Sequence, residues 1–61
     1  MEVLIIDNEG KNVVAKYEVI LDGQNYTPTD EEYYSNAWQC AVDDNIVDND
    51  KRDKYCFSFG N

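Results

Sequence analysis

A chain of 61 residues with 43% hydrophobic and 13% aromatic side chains makes one small folded domain, residues 1–61. It buries only about 60% of the surface its unfolded form exposes, which leaves little chain for a preorganised catalytic pocket. Thirteen Asp and Glu against five Lys and Arg give a net charge of −8, which repels nucleic acid and anionic membranes and favours basic protein partners; the same charge also suffices simply to keep a small domain soluble.

In chain order, Glu2 to Ile6 reads as the first strand. Its core Val3-Leu4-Ile5-Ile6 is continuously apolar, as in a strand covered on both faces. The segment Asp7-Asn8-Glu9-Gly10-Lys11 then reads as a short hairpin loop with a bulge, Gly10 supplying the positive-φ position. The second strand spans Asn12 to Leu21, where Val13, Ala15, Tyr17, Val19 and Leu21 alternate with Asn12, Val14, Lys16, Glu18 and Ile20. Period two over ten residues is a strand signature. Asp22-Gly23 marks a turn, and Gln24 to Thr27 reads as a short extra strand.

A helix is predicted from Asp30 to Asp44. Thr29 is a good N-cap and Glu32 completes the capping box three residues later. Asp30, Glu31 and Glu32 fall in the first turn, which the macrodipole favours. Tyr34, Ala37, Trp38, Ala41 and Val42 have the spacing of an inward stripe, with Ser35, Gln39 and Asp43 opposite. Asp43 and Asp44 lie at the end of the helix that disfavours carboxylates, at a cost of about 0.3–1 kcal/mol each. Either the helix stops just before them or a role other than stability keeps them. Asn45 to Asp53 reads as a polar loop with Ile46 and Val47 against the core. Lys54 to Phe59 is the last strand, Tyr55, Phe57 and Phe59 facing one way and Cys56 and Ser58 the other.

This order gives an α+β fold: a three-stranded, mainly antiparallel sheet with one helix on one face. The right-handed rule for helical crossovers puts the last strand beside the first, for an order 2-1-3. The uncovered face would then carry Leu4 or Ile6, Val14, Ile20 and Cys56, an apolar patch of the kind that marks a homodimer interface or a partner site.

Few of the side chains are equipped for chemistry. Nucleophilic catalysis needs a base beside Ser or Cys, usually His, and the chain has no His. Cys40 and Cys56 sit among acids, which raise a thiol pKa. They also lack metal spacing, and they bridge only if their Cα atoms come within about 7 Å. Asp43-Asp44-Asn45 and Asp48-Asn49-Asp50 look oxygen-rich, yet neither register places Gly and Glu where an EF-hand needs them. No Gly-rich phosphate cradle is present, so no cofactor is expected. Only four apolar residues follow Met1-Glu2, which reads as no secretory signal, and no apolar run approaches the ~18 residues of a membrane helix. The expected compartment is the cytosol, with reduced thiols.

What remains is a surface for a protein. Tyr26, Tyr33, Tyr34 and Trp38 gather near the helix start beside Asp30, Glu31 and Glu32, and Tyr and Trp are enriched at binding hot spots. Carboxylates around such anchors suit an Arg- or Lys-rich target; alternatively Tyr34 and Trp38 are core and the acids only cap a helix. A second string, Asp43, Asp44, Asp48, Asp50 and Asp53, can join the first along one edge and imitate the phosphates of a nucleic acid, or can be scattered charge.

In length, in its −8 charge, in its strand-strand-helix-strand order and in the segment Asp30-Glu31-Glu32-Tyr33-Tyr34-Ser35-Asn36-Ala37-Trp38-Gln39, the chain resembles the short acidic proteins by which bacteriophages and mobile elements block host nucleic-acid machinery. These include anti-CRISPR and anti-restriction proteins, uracil-DNA glycosylase inhibitors and small inhibitors of bacterial RNA polymerase. The resemblance is one of character and transfers no residue. It implies a non-catalytic inhibitor in the host cytoplasm. Such an inhibitor would bind a larger host protein with a basic surface, and neither nucleic acid nor membrane directly. The contacts expected here are Asp30, Glu31, Glu32, Tyr33, Asp43 and Asp44. The alternative is a structural module that dimerises or docks through Val14 and Ile20.

Overall fold

The computed structural model describes residues 1–21, 25 and 27–60. The expected Asp22-Gly23 turn, most of the expected strand Gln24–Thr27 and the ring of Tyr26 lie outside the described residues.

Three strands form one antiparallel sheet. β1 (Glu2–Asp7) is central, flanked by β2 (Val13–Glu18) and β3 (Tyr55–Phe59), in the order β2-β1-β3. Both outer strands run against β1 and therefore parallel to each other. The connection from β2 to β3 carries helix α1 (Asp30–Asp43), as the order 2-1-3 required. The apolar run of β1 reflects this central place but not coverage on both faces. Val3 and Ile5 are fully buried under the helix, whereas Leu4 and Ile6 on the open side are half-buried.

The β1–β2 loop differs from expectation. The Asp7 N–H donates to the Asn12 carbonyl at 2.9 Å and the Lys11 N–H to the Asp7 carbonyl at 2.7 Å. The Asp7 carboxylate also accepts from the Glu9 N–H at 2.9 Å. Closing the hairpin at Asp7 and Asn12 leaves residues 8–11 in the loop, so the left-handed position falls on the last of them, Lys11 (φ 57°), and not on Gly10. β2 is shorter than its period-two pattern. Its pairing extends one rung past Glu18, where the Val19 N–H donates to the Met1 carbonyl at 2.9 Å. Val19 turns into the core, and Ile20 and Leu21 have left the sheet because β1 offers them no further partner among the described residues. Ile5 pairs with Ala15 and Ile6 with Val13, so Val14 is the extra residue of a bulge.

The helix forms as its signals predict. Thr29 is the N-cap and its side-chain oxygen accepts from the Glu32 N–H at 3.3 Å, satisfying one of the donors the first turn leaves open. The helix ends at Asp43 with Asp44 as C-cap, one residue earlier than expected. Asn45 takes the left-handed conformation (φ 61°). The Ile46 N–H donates to the Ala41 carbonyl and the Asn45 N–H to the Val42 carbonyl, at 2.9 and 3.0 Å. These two bonds make a Schellman motif, for which Asn is the usual substitute when Gly is absent. The motif directs Ile46 outward (46% exposed) while Val47 enters the core, so only one of the two joins it as expected. Residues 49–54, expected as plain loop, form a short 3-10 helix (Asn49–Lys54). It is interrupted at Lys51 and capped by the Asp48 side chain, which accepts from the Asp50 N–H.

Ala37, Trp38 and Ala41 bury against Val3, Ile5, Val19 and Val47. Small residues at 37 and 41 let the helix approach the sheet, and Trp38 fills the space toward β3. Rings close that side. Tyr34 stacks on Phe57 with centroids 5.2 Å apart, Trp38 lies 5.5 Å from Tyr55, and Tyr33 meets Phe59 edge-on at 5.9 Å. Such pairs add about 0.5–1.5 kcal/mol each beyond burial alone.

Candidate functional site

The segment of α1 and its C-cap is the most uniformly charged stretch of the sequence. The stretch from Asp30 to Asp44 carries five carboxylates and no Lys or Arg. At 1.5 Å per residue it is about 21 Å long. The carboxylates form two groups, Asp30, Glu31 and Glu32 at one end and Asp43 and Asp44 at the other, about 16 Å apart along the axis.

Each acid has a distinct setting. Asp30 is exposed at the first residue of the helix. Glu31 is exposed and holds Arg52, whose Nη2 donates to Oε1 at 2.6 Å; the Ser35 hydroxyl donates to the same oxygen at 3.1 Å. Glu32 is half-buried at the capped first turn. Asp43 accepts from Gln39 Nε2 at 3.0 Å, and Asp44 accepts from Tyr17 Oη at 2.7 Å. That last bond ties the end of α1 to β2. Desolvation, with the hydrogen bond and negative charge of Asp44 adding to it, pushes the Tyr17 hydroxyl up to about 12.

The aromatic part of the expected surface is spent on the core. Trp38 is 3% exposed, and Tyr33 and Tyr34 are both half-buried and packed against the core, so among the described residues no fully exposed ring stands beside the first-turn acids. The indole N–H of Trp38 donates to Asn49 Oδ1 at 3.0 Å, so Trp38 also anchors the 3-10 helix. The string Asp48, Asp50 and Asp53 does not extend the charged surface of α1 as a purely anionic ridge. It lies in or beside the 3-10 helix among Lys51, Arg52 and Lys54.

An open groove of about 610 Å³ runs between the end of α1 and the 3-10 helix, lined in part by Val42, Ile46, Val47, Asp48 and Tyr55. Two of its polar side chains are already engaged, Asp48 as a cap and Asn49 by the indole. Val14, the bulged residue of β2, is 37% exposed, whereas Ile20, 69% exposed, lies past the end of β2 and not on the sheet face the sequence assigned to it; Lys16, Glu18 and Ser58 share the register rows of Leu4 and Glu2 and divide the apolar surface. Cys40 and Cys56 are free thiols. Among the described residues no group of three or more Cys, Asp or Glu could hold a metal ion, and no helix is long and apolar enough to cross a membrane.

Sequence reasoning missed one feature. Arg52 reaches back over the helix–sheet seam to Glu31, Ser35 and the ring of Phe57, its guanidinium carbon 5.3 Å from the ring centre. In the sequence Arg52 is one cation among aspartates, 21 residues from Glu31, and no periodicity links them.

The architecture is that of a small α+β domain: a three-stranded antiparallel sheet with one helix on one face. Comparison with protein-family models, curated proteins and solved structures found no match.

Proposed function

We propose that this chain is a non-catalytic binding protein that presents the outer face of α1 to a basic, nucleic-acid-binding surface of a larger protein and blocks it. The observation that supports this reading most is the run of five carboxylates over Asp30–Asp44 with no cation within the helix. Grouping at the two ends suits two separate basic patches better than one continuous phosphate track. Asp43 and Asp44 bear on the same point, since they occupy the helix end where carboxylates destabilise. The small size, the −8 charge and the strand-strand-helix-strand order are those of phage or mobile-element inhibitors, anti-CRISPR-like in character, acting in the host cytoplasm.

The test is association with the protein that co-purifies from the native host. The expected complex dissociates as salt rises, because screening shortens from about 10 Å at 0.1 M to about 3 Å at 1 M. Duplex DNA competes with it, and Asp30→Lys and Asp43→Lys weaken it. A second reading rests on the exposure of Val14 and Ile20, and makes the open side of the sheet, together with the segment just past β2, a docking or homodimer surface. Binding that is flat with salt, indifferent to the charge reversals and abolished by Val14→Asp or Ile20→Asp would establish the second reading and reject the first.

A further inference from the structure

Arg52 is a cation held against the acidic helix, and its setting has the chemistry of a guanidinium site. Glu31 and Ser35 lie one turn apart on α1. Arg52 Nη2 donates to Glu31 Oε1 at 2.6 Å and to Ser35 Oγ at 3.4 Å, and the Ser35 hydroxyl donates to the same Glu31 oxygen at 3.1 Å. Phe57 of β3 supplies a ring 5.3 Å from the guanidinium carbon, within the range at which a cation is held by an aromatic quadrupole. Carboxylate, hydroxyl and ring therefore converge on one planar cation from two different elements, and the cation comes from a third.

We propose that Glu31, Ser35 and Phe57 form an arginine-binding cradle that Arg52 occupies in cis, and that an arginine side chain of the partner takes the cradle when Arg52 swings out. The inference rests on the reading of α1 as a cation-binding face and names the group that face recognises. Exchange is easy for two structural reasons. The ion pair is open to water, with side-chain exposures of 38% for Arg52 and 68% for Glu31, and exposed pairs hold weakly. Arg52 also belongs to a six-residue 3-10 helix broken at Lys51, which has few backbone bonds to surrender. A lysine is a poorer occupant because its compact ammonium cannot stack on the ring while sharing donors between Glu31 and Ser35. Arg52 thus acts as an internal competitor that keeps the cradle filled until a better-placed guanidinium arrives.

Hexa-arginine and hexa-lysine peptides test this by titration against the wild type, Arg52→Ala and the double variant Arg52→Ala/Glu31→Gln at one ionic strength. Removing Arg52 makes the protein more negative and strengthens both peptides. The cradle adds a further gain of about fivefold for hexa-arginine alone, the equivalent of ~1 kcal/mol of cation–π attraction, and Glu31→Gln removes that excess. In NMR spectra, hexa-arginine should shift the Ser35 amide and Phe57 ring signals of Arg52→Ala while hexa-lysine does not. Equal gains for the two peptides, with no selective shift at Ser35 and Phe57, would overturn the cradle and leave the cation-binding face standing. No salt-sensitive binding of either peptide by wild type or variants would overturn both. If Arg52→Ala fails to fold, the wild type decides: hexa-arginine at saturation should displace Arg52 and shift the Ser35 amide and Phe57 ring signals while hexa-lysine does not, and equal shifts from the two peptides would overturn the cradle.

Discussion

Trp38 decides whether the rings of α1 serve the fold or a partner, and truncating it separates the two. The side chain is 3% exposed, lies 5.5 Å from Tyr55 and 6.1 Å from Phe57, and donates its indole N–H to Asn49. Removing a buried Trp costs about 3–5 kcal/mol through lost burial and the cavity left behind. A domain of this length has only about 3–9 kcal/mol in total, at 0.05–0.15 kcal/mol per residue. Trp38→Ala should therefore lose roughly half or more of its stability, seen by far-UV circular dichroism as a sharply lowered urea midpoint or as outright unfolding at 25 °C. Trp38→Phe keeps a ring but gives up the hydrogen bond, and its acceptor Asn49 is exposed and recovers water, so the bond itself contributes only about 1 kcal/mol. With a urea m-value near 1 kcal/mol/M, typical of the smallest domains, Trp38→Phe should lower the midpoint by about 1–2 M without changing m. A Trp38→Ala protein that keeps the wild-type midpoint would refute the core assignment and return Trp38 to the interface.

Three further outcomes follow from the ends of the helix and its tie to the sheet. Asn45→Gly should raise the melting temperature and Asn45→Ala lower it, each by about 1 kcal/mol or less, since only glycine takes the left-handed cap without strain; the same sign for both would contradict the Schellman geometry. Asp43→Lys should stabilise the fold by about 0.3–1 kcal/mol by answering the helix dipole, seen as a melting temperature a few degrees higher, while weakening partner binding, so that the loss of binding cannot be blamed on unfolding. Tyr17→Phe removes the bond to Asp44. The folded Tyr17 holds its proton up to about pH 12, whereas the unfolded one releases it near 10. The wild-type advantage over Tyr17→Phe should thus be complete below pH 10 and vanish as pH rises toward 12; an advantage unchanged across that window in thermal melts would rule out the raised hydroxyl.

The sequence by itself determined the elements whose signals are local. Period two marked the core of β2, the Thr29 cap and the 3.6-residue apolar stripe marked α1, and the alternation of Tyr55, Phe57 and Phe59 marked the buried side of β3. The central place of β1 followed from its unbroken apolar run together with the handedness of the crossover. Of the candidate site, the four carboxylates of α1 and that of its C-cap Asp44 were legible for the same reason: the helix period and its caps fix where these residues sit. The rest depended on contacts between elements. Where β2 stops is set by how far β1 reaches beside it, and the left-handed turn position is set by where the hairpin closes, which moved it from Gly10 to Lys11. The 3-10 helix is too short to leave a period in the sequence. Tertiary packing chose the core over a partner surface for Trp38 and laid Arg52 across Glu31, Ser35 and Phe57. Those partners are 5 to 21 residues from Arg52 along the chain, and only the folding of three separate elements against one another brings them together.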